Sequence, residues 1–221
     1  MNKKLNLQLK GSTVEFDVRR VVVAGYTGRD QAQVRAHIAE LERQGIPAPD
    51  AVPSTYPLDA SFATVEERVE IGSARVSGEA EPALLFRGNS LEDALVSVIV
   101  DFTDREEECK SIPRSKIHPK PFSAQVWEYA DVIDVWDEIS LRSWVGSPEN
   151  PELYQSGKFG QLLSPKDLLP RLNIGGALQG TVLLMGTLPL LQGRFSFSDY
   201  FACEAETPIH SKLSYQCHIQ R

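Results

Sequence analysis

A β-dominated α+β fold is predicted by three observations on the sequence. Short apolar runs bounded by Gly, Pro, Asn and Asp recur from residue 60 to the end. Only one long segment, 30–44, places its apolar residues at helical spacing. The first ten residues alternate polar and apolar side chains after an initial pair of lysines, as an opening strand does.

Residues 4–9 and 13–24 are expected to form a hairpin around Gly11-Ser12, the second arm ending in Val21-Val22-Val23. From Asp30 to Gln44 the period changes: Val34, Ile38 and Leu41 fall on one helical face, Asp30 can cap the start, and Gly45 followed by Pro47 stops the helix. Four prolines, Pro47, Pro49, Pro53 and Pro57, make 47–59 an extended connector. Short apolar runs at 83–87, 94–101, 122–128, 139–145 and 181–187 and an alternating piece at 213–219 read as strands, and if the first reaches back to 75 it carries Glu79 and Glu81. Between them, 91–97 or 104–110 is a candidate short helix, and Ser164-Pro165-Lys166-Asp167-Leu168-Leu169 reads as a capped helical turn.

With 221 residues, 42% hydrophobic and 24% charged, the chain has the composition of an ordinary globular protein. Its 30 acidic against 23 basic residues give a net charge of −7, and no basic cluster offsets it. Nucleic acid and anionic membrane are therefore not expected as partners, whereas small-molecule chemistry is. Three widely spaced cysteines, Cys109, Cys203 and Cys217, make neither a disulfide framework nor a zinc motif, so a reducing cytoplasm is the expected location. No signal peptide and no apolar run of transmembrane length is read.

The most informative stretch is acidic. On a strand, Glu79 and Glu81 point to the same face, and Asp101 ends the apolar run Ala94–Val100. Carboxylates that close need a cation between them, and three oxygen donors suit a hard ion of the Mg, Mn or Ca type. An isolated Glu-x-Glu is more often a plain acidic surface patch. His37 and Glu40 lie three apart on the predicted helix, where a carboxylate can orient an imidazole as a general base; an ordinary charged helix face would look the same. Lys116 and Lys120 sit in a segment that prolines hold extended, where either lysine can meet a substrate carboxylate or simply be solvated. Gly186-Thr187 offers an amide and a hydroxyl at a strand end. Trp127, Trp136 and Trp144 are read as core or interface residues, and Cys109, among acidic neighbours, as a poor nucleophile.

Taken in order, these pieces resemble the fumarylacetoacetate hydrolase-like superfamily. The matching elements are Gly28-Arg29-Asp30 with His37-x-x-Glu40, Glu79-x-Glu81, Asp101-x-x-x-Arg105-Glu106, Lys116, Tyr154-Gln155 and Gly186-Thr187-Leu188-Pro189, spread over about residues 20 to 190. Arg142-Ser143-Trp144-Val145 is similar to a stretch found in a short bacterial branch. The resemblance implies a mixed β-roll catalytic domain over 60–221 with a small strand-helix region, 1–59, folding over its mouth. It implies Glu79, Glu81 and Asp101 as ligands of a divalent cation, magnesium or manganese with calcium as a third candidate. It implies His37, Glu40 and Lys116 as catalytic residues and Arg105, Gln155 and Thr187 as substrate-binding ones. The implied reaction is hydrolysis of a carbon–carbon bond in an acylpyruvate-like or β-dicarbonyl 2-oxo acid or diketo acid. Hydration, oxaloacetate decarboxylation and tautomerisation by related enzymes, or ligand binding without catalysis, are the alternatives. A homodimer is implied as well, with the apolar stretch 181–191 as its interface. The sequence departs from the family pattern in the extra residues between Gly28-Arg29 and His37, in Val100-Asp101 for Asn-Asp, and in lacking both an Asn-Gly pair near 146 and a Gly-Asp turn after 189.

Overall fold

A computed structural model describes residues 2–43 and 48–221, excluding the side chains of His37 and Leu41. Its centre is a hairpin of two eleven-residue strands, β7 (Val76–Phe86) and β8 (Ala94–Asp104), paired from Val76↔Asp104 to Phe86↔Ala94. Nearly every side chain in both strands is buried, which explains why they read as almost continuous apolar runs. Around them an eight-stranded mixed sheet runs in the order β2 (Ser12–Val18), β1 (Lys3–Leu9), β10 (Gln125–Glu128), β8, β7, β13 (Thr181–Leu184), β3 (Arg20–Gly25) and β4 (Ser54–Asp59). A second sheet of five strands is ordered β12 (Pro151–Lys158), β11 (Ser140–Gly146), β14 (Tyr200–Thr207), β15 (His210–Gln220) and β6 (Arg68–Glu70). A two-stranded parallel piece joins β5 (Ala63–Thr64) to β9 (Lys120–Pro121).

Alternation along the central hairpin divides the interior in two. Ala80, Leu84, Phe86, Val96, Val98 and Val100 face the larger core, which they share with Leu141, Phe201, Leu213 and Cys217 of the second sheet. Ala83, Leu85, Leu95 and Ile99 face a smaller core with Leu7, Phe16, Val21, Tyr56 and Phe122. Each fully buried Leu or Phe contributes about 1.5–3 kcal/mol, so both layers hold the hairpin firmly. In β15 only Leu213, Tyr215, Cys217 and Ile219 turn inward, the pattern of an antiparallel strand with one wet face.

Most predicted elements are present, with informative differences. The arm 13–24 divides at Arg19, whose amide donates to Gly180 O (2.8 Å), so that β3 leaves the hairpin and pairs in parallel with β13. Residues 1–59 supply four of the eight strands of the main sheet and interleave with the later ones. Part of the Pro-rich connector is strand β4. The helix α1 (Gln31–Arg43) has the expected cap, Asp30 Oδ1 accepting from the amides of Ala32 (2.9 Å) and Gln33 (3.1 Å); the predicted stop at Gly45 and Pro47 lies outside the described residues. Of the two candidate short helices, 104–110 holds α2 (Arg105–Glu108), while 91–93 makes a single 3-10 turn before β8. The stretch 181–191 is not an exposed apolar face: Val182, Leu183, Leu184, Met185 and Leu188 are buried because β13 is a central strand, and Leu191 alone among its large apolar residues is strongly exposed. Among the described residues no helix is long and apolar enough to cross a membrane.

Candidate active site

The carboxylates sit where the row of side chains facing the smaller core runs out of apolar residues. Glu79 and Glu81 continue the face of Ala83 and Leu85, and Asp101 and Thr103 continue that of Leu95 and Ile99. Glu79 is the cross-strand partner of Asp101, so three acidic residues share one face within one strand pair. All three are buried, Asp101 to 1% exposure. Burial, then the charge of Asp101, pushes the Glu81 carboxyl well above the usual carboxylate range, and Lys116 and the Gly186 amide only partly offset this.

Three cations reach this face. Lys116 follows the short helix α3 (Ile112–Ser115), and its Nζ donates to Asp101 Oδ2 (2.6 Å) and Thr103 Oγ1 (2.9 Å). Lys120, on β9, is fully buried and donates to Phe102 O (2.7 Å). Its Nζ also stands 2.9 Å from Asp101 Oδ1, but off a hydrogen-bonding direction, so that Oδ1 has no hydrogen bond. Burial alone would raise Asp101's pKa; the two ammonium groups overrule it and hold Asp101 ionised far down the pH scale. Burial likewise lowers Lys120 to about 8, against the opposing pull of Asp101. Lys116 moves the other way: burial would lower it, but Asp101, Glu79 and Glu108 together outweigh the desolvation and raise it.

Arg105 begins α2 and braces Glu79. Its three nitrogens reach Glu79 Oε2 (2.8 Å), Glu108 Oε2 (2.9 Å) and Ser77 Oγ (2.7 Å), and the Phe195 ring covers the guanidinium at 3.8 Å. Gln155 is wholly buried and uses all four of its hydrogen-bonding positions. Its Oε1 accepts from Ala80 N (2.8 Å) and Ser143 Oγ (2.8 Å), while Nε2 donates to Thr187 Oγ1 (2.7 Å) and Leu188 O (2.8 Å). Thr187 Oγ1 donates in turn to Ala80 O (3.1 Å). Gln155 and Thr187 thus clamp Ala80, the residue between the two glutamates. The amide of Gly186 donates to Glu81 Oε2 (2.7 Å). Glycine is required there: its φ is +96°, and a Cβ would lie 1.9 Å from Thr27 Oγ1.

The structure therefore brings together Glu79, Glu81, Asp101, Lys116, Arg105, Gln155 and Thr187 from the predicted set. Glu40 lies on the exposed side of α1, and the side chain of His37, one turn earlier, lies outside the described residues. Thr103 was not anticipated, although its position two residues after Asp101 on a strand is the signal that finds it. The Phe195 cover comes from a distant loop and has no sequence signal.

As a donor set, three carboxylates and no nitrogen or sulfur suit a hard divalent cation, and the hydrogen-bond-free Asp101 Oδ1 and the poorly neutralised Glu81 are the groups such an ion would satisfy. Among the described residues, no three acidic, His or Cys side chains close tightly enough to hold an ion in the arrangement seen, in which Arg105 and the lysines take two of the three carboxylates.

The fold is shared with solved structures of proteins named for fumarylacetoacetate hydrolase. A protein from Oleispira antarctica named for fumarylacetoacetate isomerase/hydrolase superposes with a TM-score of 0.68 at 19% identity, covering 97% of this chain and 99% of that one. A Burkholderia cenocepacia protein named for fumarylpyruvate hydrolase gives 0.66 at 13% identity, covering 100% and 94%. A 2-keto-3-deoxyarabinonate dehydratase gives 0.67 at 16%, covering 93% and 75%. No curated protein matches the sequence. Within this fold the chain belongs to the family described as "Protein of unknown function (DUF2848)", whose model matches residues 24–216.

Proposed function

We propose that this chain is a divalent-metal-dependent enzyme that hydrolyses a carbon–carbon bond in an acylpyruvate-like or β-dicarbonyl 2-oxo acid. The observation that carries the proposal is the placement of Glu79, Glu81 and Asp101 on one buried face with Lys116 beside them. The names of the structural neighbours, a hydrolase and a dehydratase among them, support an enzyme acting on such compounds.

Glu79, Glu81 and Asp101 would hold the ion, which when bound supplies Lewis-acid polarisation to the substrate's oxygens. Two of the three N–H groups of Lys116 are used by Asp101 and Thr103, so the third is available to a substrate carboxylate or developing oxyanion. Arg105, covered by Phe195, keeps Glu79 in place and excludes water from that side. Gln155 and Thr187 fix the strand segment that carries both glutamates. His37, one turn before Glu40 on α1, would take the proton from the attacking water.

The test is loss of enol absorbance from a panel of acylpyruvates and oxaloacetate, with protein in Mn or Mg against the same protein in EDTA. Metal-dependent turnover of acylpyruvates that disappears in His37→Ala is the expected result. Turnover unaffected by EDTA, or full activity in Glu79→Ala, would overturn the proposal.

A further inference from the structure

Lys120 is the most unusual charge in the molecule: a lysine with no exposure at all, in a cluster that already has a lysine at the same aspartate. Both lysines attend Asp101, one at each carboxylate oxygen. With Arg105 shared between Glu79 and Glu108, two of the three carboxylates already face side-chain cations without any added ion, and both lysines are spent on Asp101.

The backbone gives Lys120 little room to leave. Strand β9 is pinned by its parallel pairing with β5, Ala63↔Lys120 and Thr64↔Pro121, and by the amide of Phe122 donating to Thr64 O (2.9 Å). Pro119 and Pro121 fix φ on both sides of the lysine. The ammonium is tied to Phe102 O, so it stays beside Asp101 Oδ1 when another cation arrives. Lys116 differs in degree and in support: its side chain is 11% exposed against 0% for Lys120, and it follows a short helix instead of sitting on a paired strand.

We propose that Lys120 is a built-in competitor for the cation seat: its fixed ammonium supplies the charge that Asp101 needs and opposes a divalent ion on the same carboxylate. The inference rests on the reading of Glu79, Glu81 and Asp101 as that seat. It makes the wild-type chain a weak divalent-cation binder whose affinity is set by one residue outside the ligand set.

Calorimetric titration of metal-free protein with Mn²⁺ tests it, comparing wild type, Lys120→Met and, as a control for general charge loss, Lys110→Met at the surface. At the distances involved, removal of the buried charge should tighten binding about tenfold or more, with Lys110→Met unchanged. Circular dichroism checks folding; if Lys120→Met does not fold, Lys120→Gln, which keeps a donor and loses the charge, replaces it with the same expected gain. Equal affinity in wild type and the Lys120 variant would overturn the inference and leave the proposed metal dependence standing. An absence of Mn²⁺ binding in every variant would instead overturn the seat itself, and with it the metal-dependent function.

Discussion

Replacing Gln155 by alanine separates a residue that touches substrate from one that holds the site together. The substitution removes four hydrogen bonds, of 2.7 to 2.8 Å, from a position with no solvent exposure. At about 0.5–1.5 kcal/mol net for each bond, the expected loss is about 4 kcal/mol, with the buried Ala80 amide losing its Gln155 acceptor. In urea unfolding followed by tryptophan fluorescence, a loss of that size moves the midpoint down by about 1 M or more. Ser143→Ala, which removes one of the four bonds, should cost about 1 kcal/mol by the same arithmetic. A midpoint for Gln155→Ala within about 0.3 M of wild type would refute the clamp, and a rise in KM with stability unchanged would return Gln155 to the substrate.

Asp101→Asn leaves Lys116 and Lys120 buried without their counter-charge and should destabilise the fold by about 3–5 kcal/mol in chemical denaturation; a loss below about 1 kcal/mol would show that the two ammonium groups do not depend on it. Burial raises the Cys217 thiol to about 12 and that of Cys203 higher still, so both are protonated at neutral pH, whereas Cys109 is exposed. Iodoacetamide at pH 7.5 should therefore label Cys109 alone by peptide mass mapping, with Cys203 and Cys217 modified only after unfolding.

The residues that sequence placed correctly are those whose signal is local. Alternation put Glu79 and Glu81 on one face, and Asp30 capped α1, because strand and helix periods act over a few residues. Asp101 was legible as the end of an apolar run. Its position directly across from Glu79 depends on the length of the turn between β7 and β8, which pattern alone does not fix. The two lysines could not be told apart in sequence because their difference lies in tertiary pairing: they are four positions apart, yet one is on a pinned strand and the other at the end of a short helix. Apolar content made 181–191 look like an interface, since an exposed patch and a central strand have the same composition; only pairing with β3 and β7 decides between them. Gln155 carried no mechanical signal at all, its four partners coming from three separate parts of the chain.

The carboxylates belong to the longest and most enclosed strand pair of the fold, and this has a consequence for the timescale on which the site can change. Amide protons along 79–86 and 94–101 have no route to exchange short of disrupting both cores, so they should exchange among the slowest in the molecule, at the rate of global opening. The strand bearing the acids will not adjust from one turnover to the next. Adaptation to a ligand must come from side-chain rotation and from the loops at the mouth, so that substrate preference can diverge within the family by loop replacement while the acidic face stays in register.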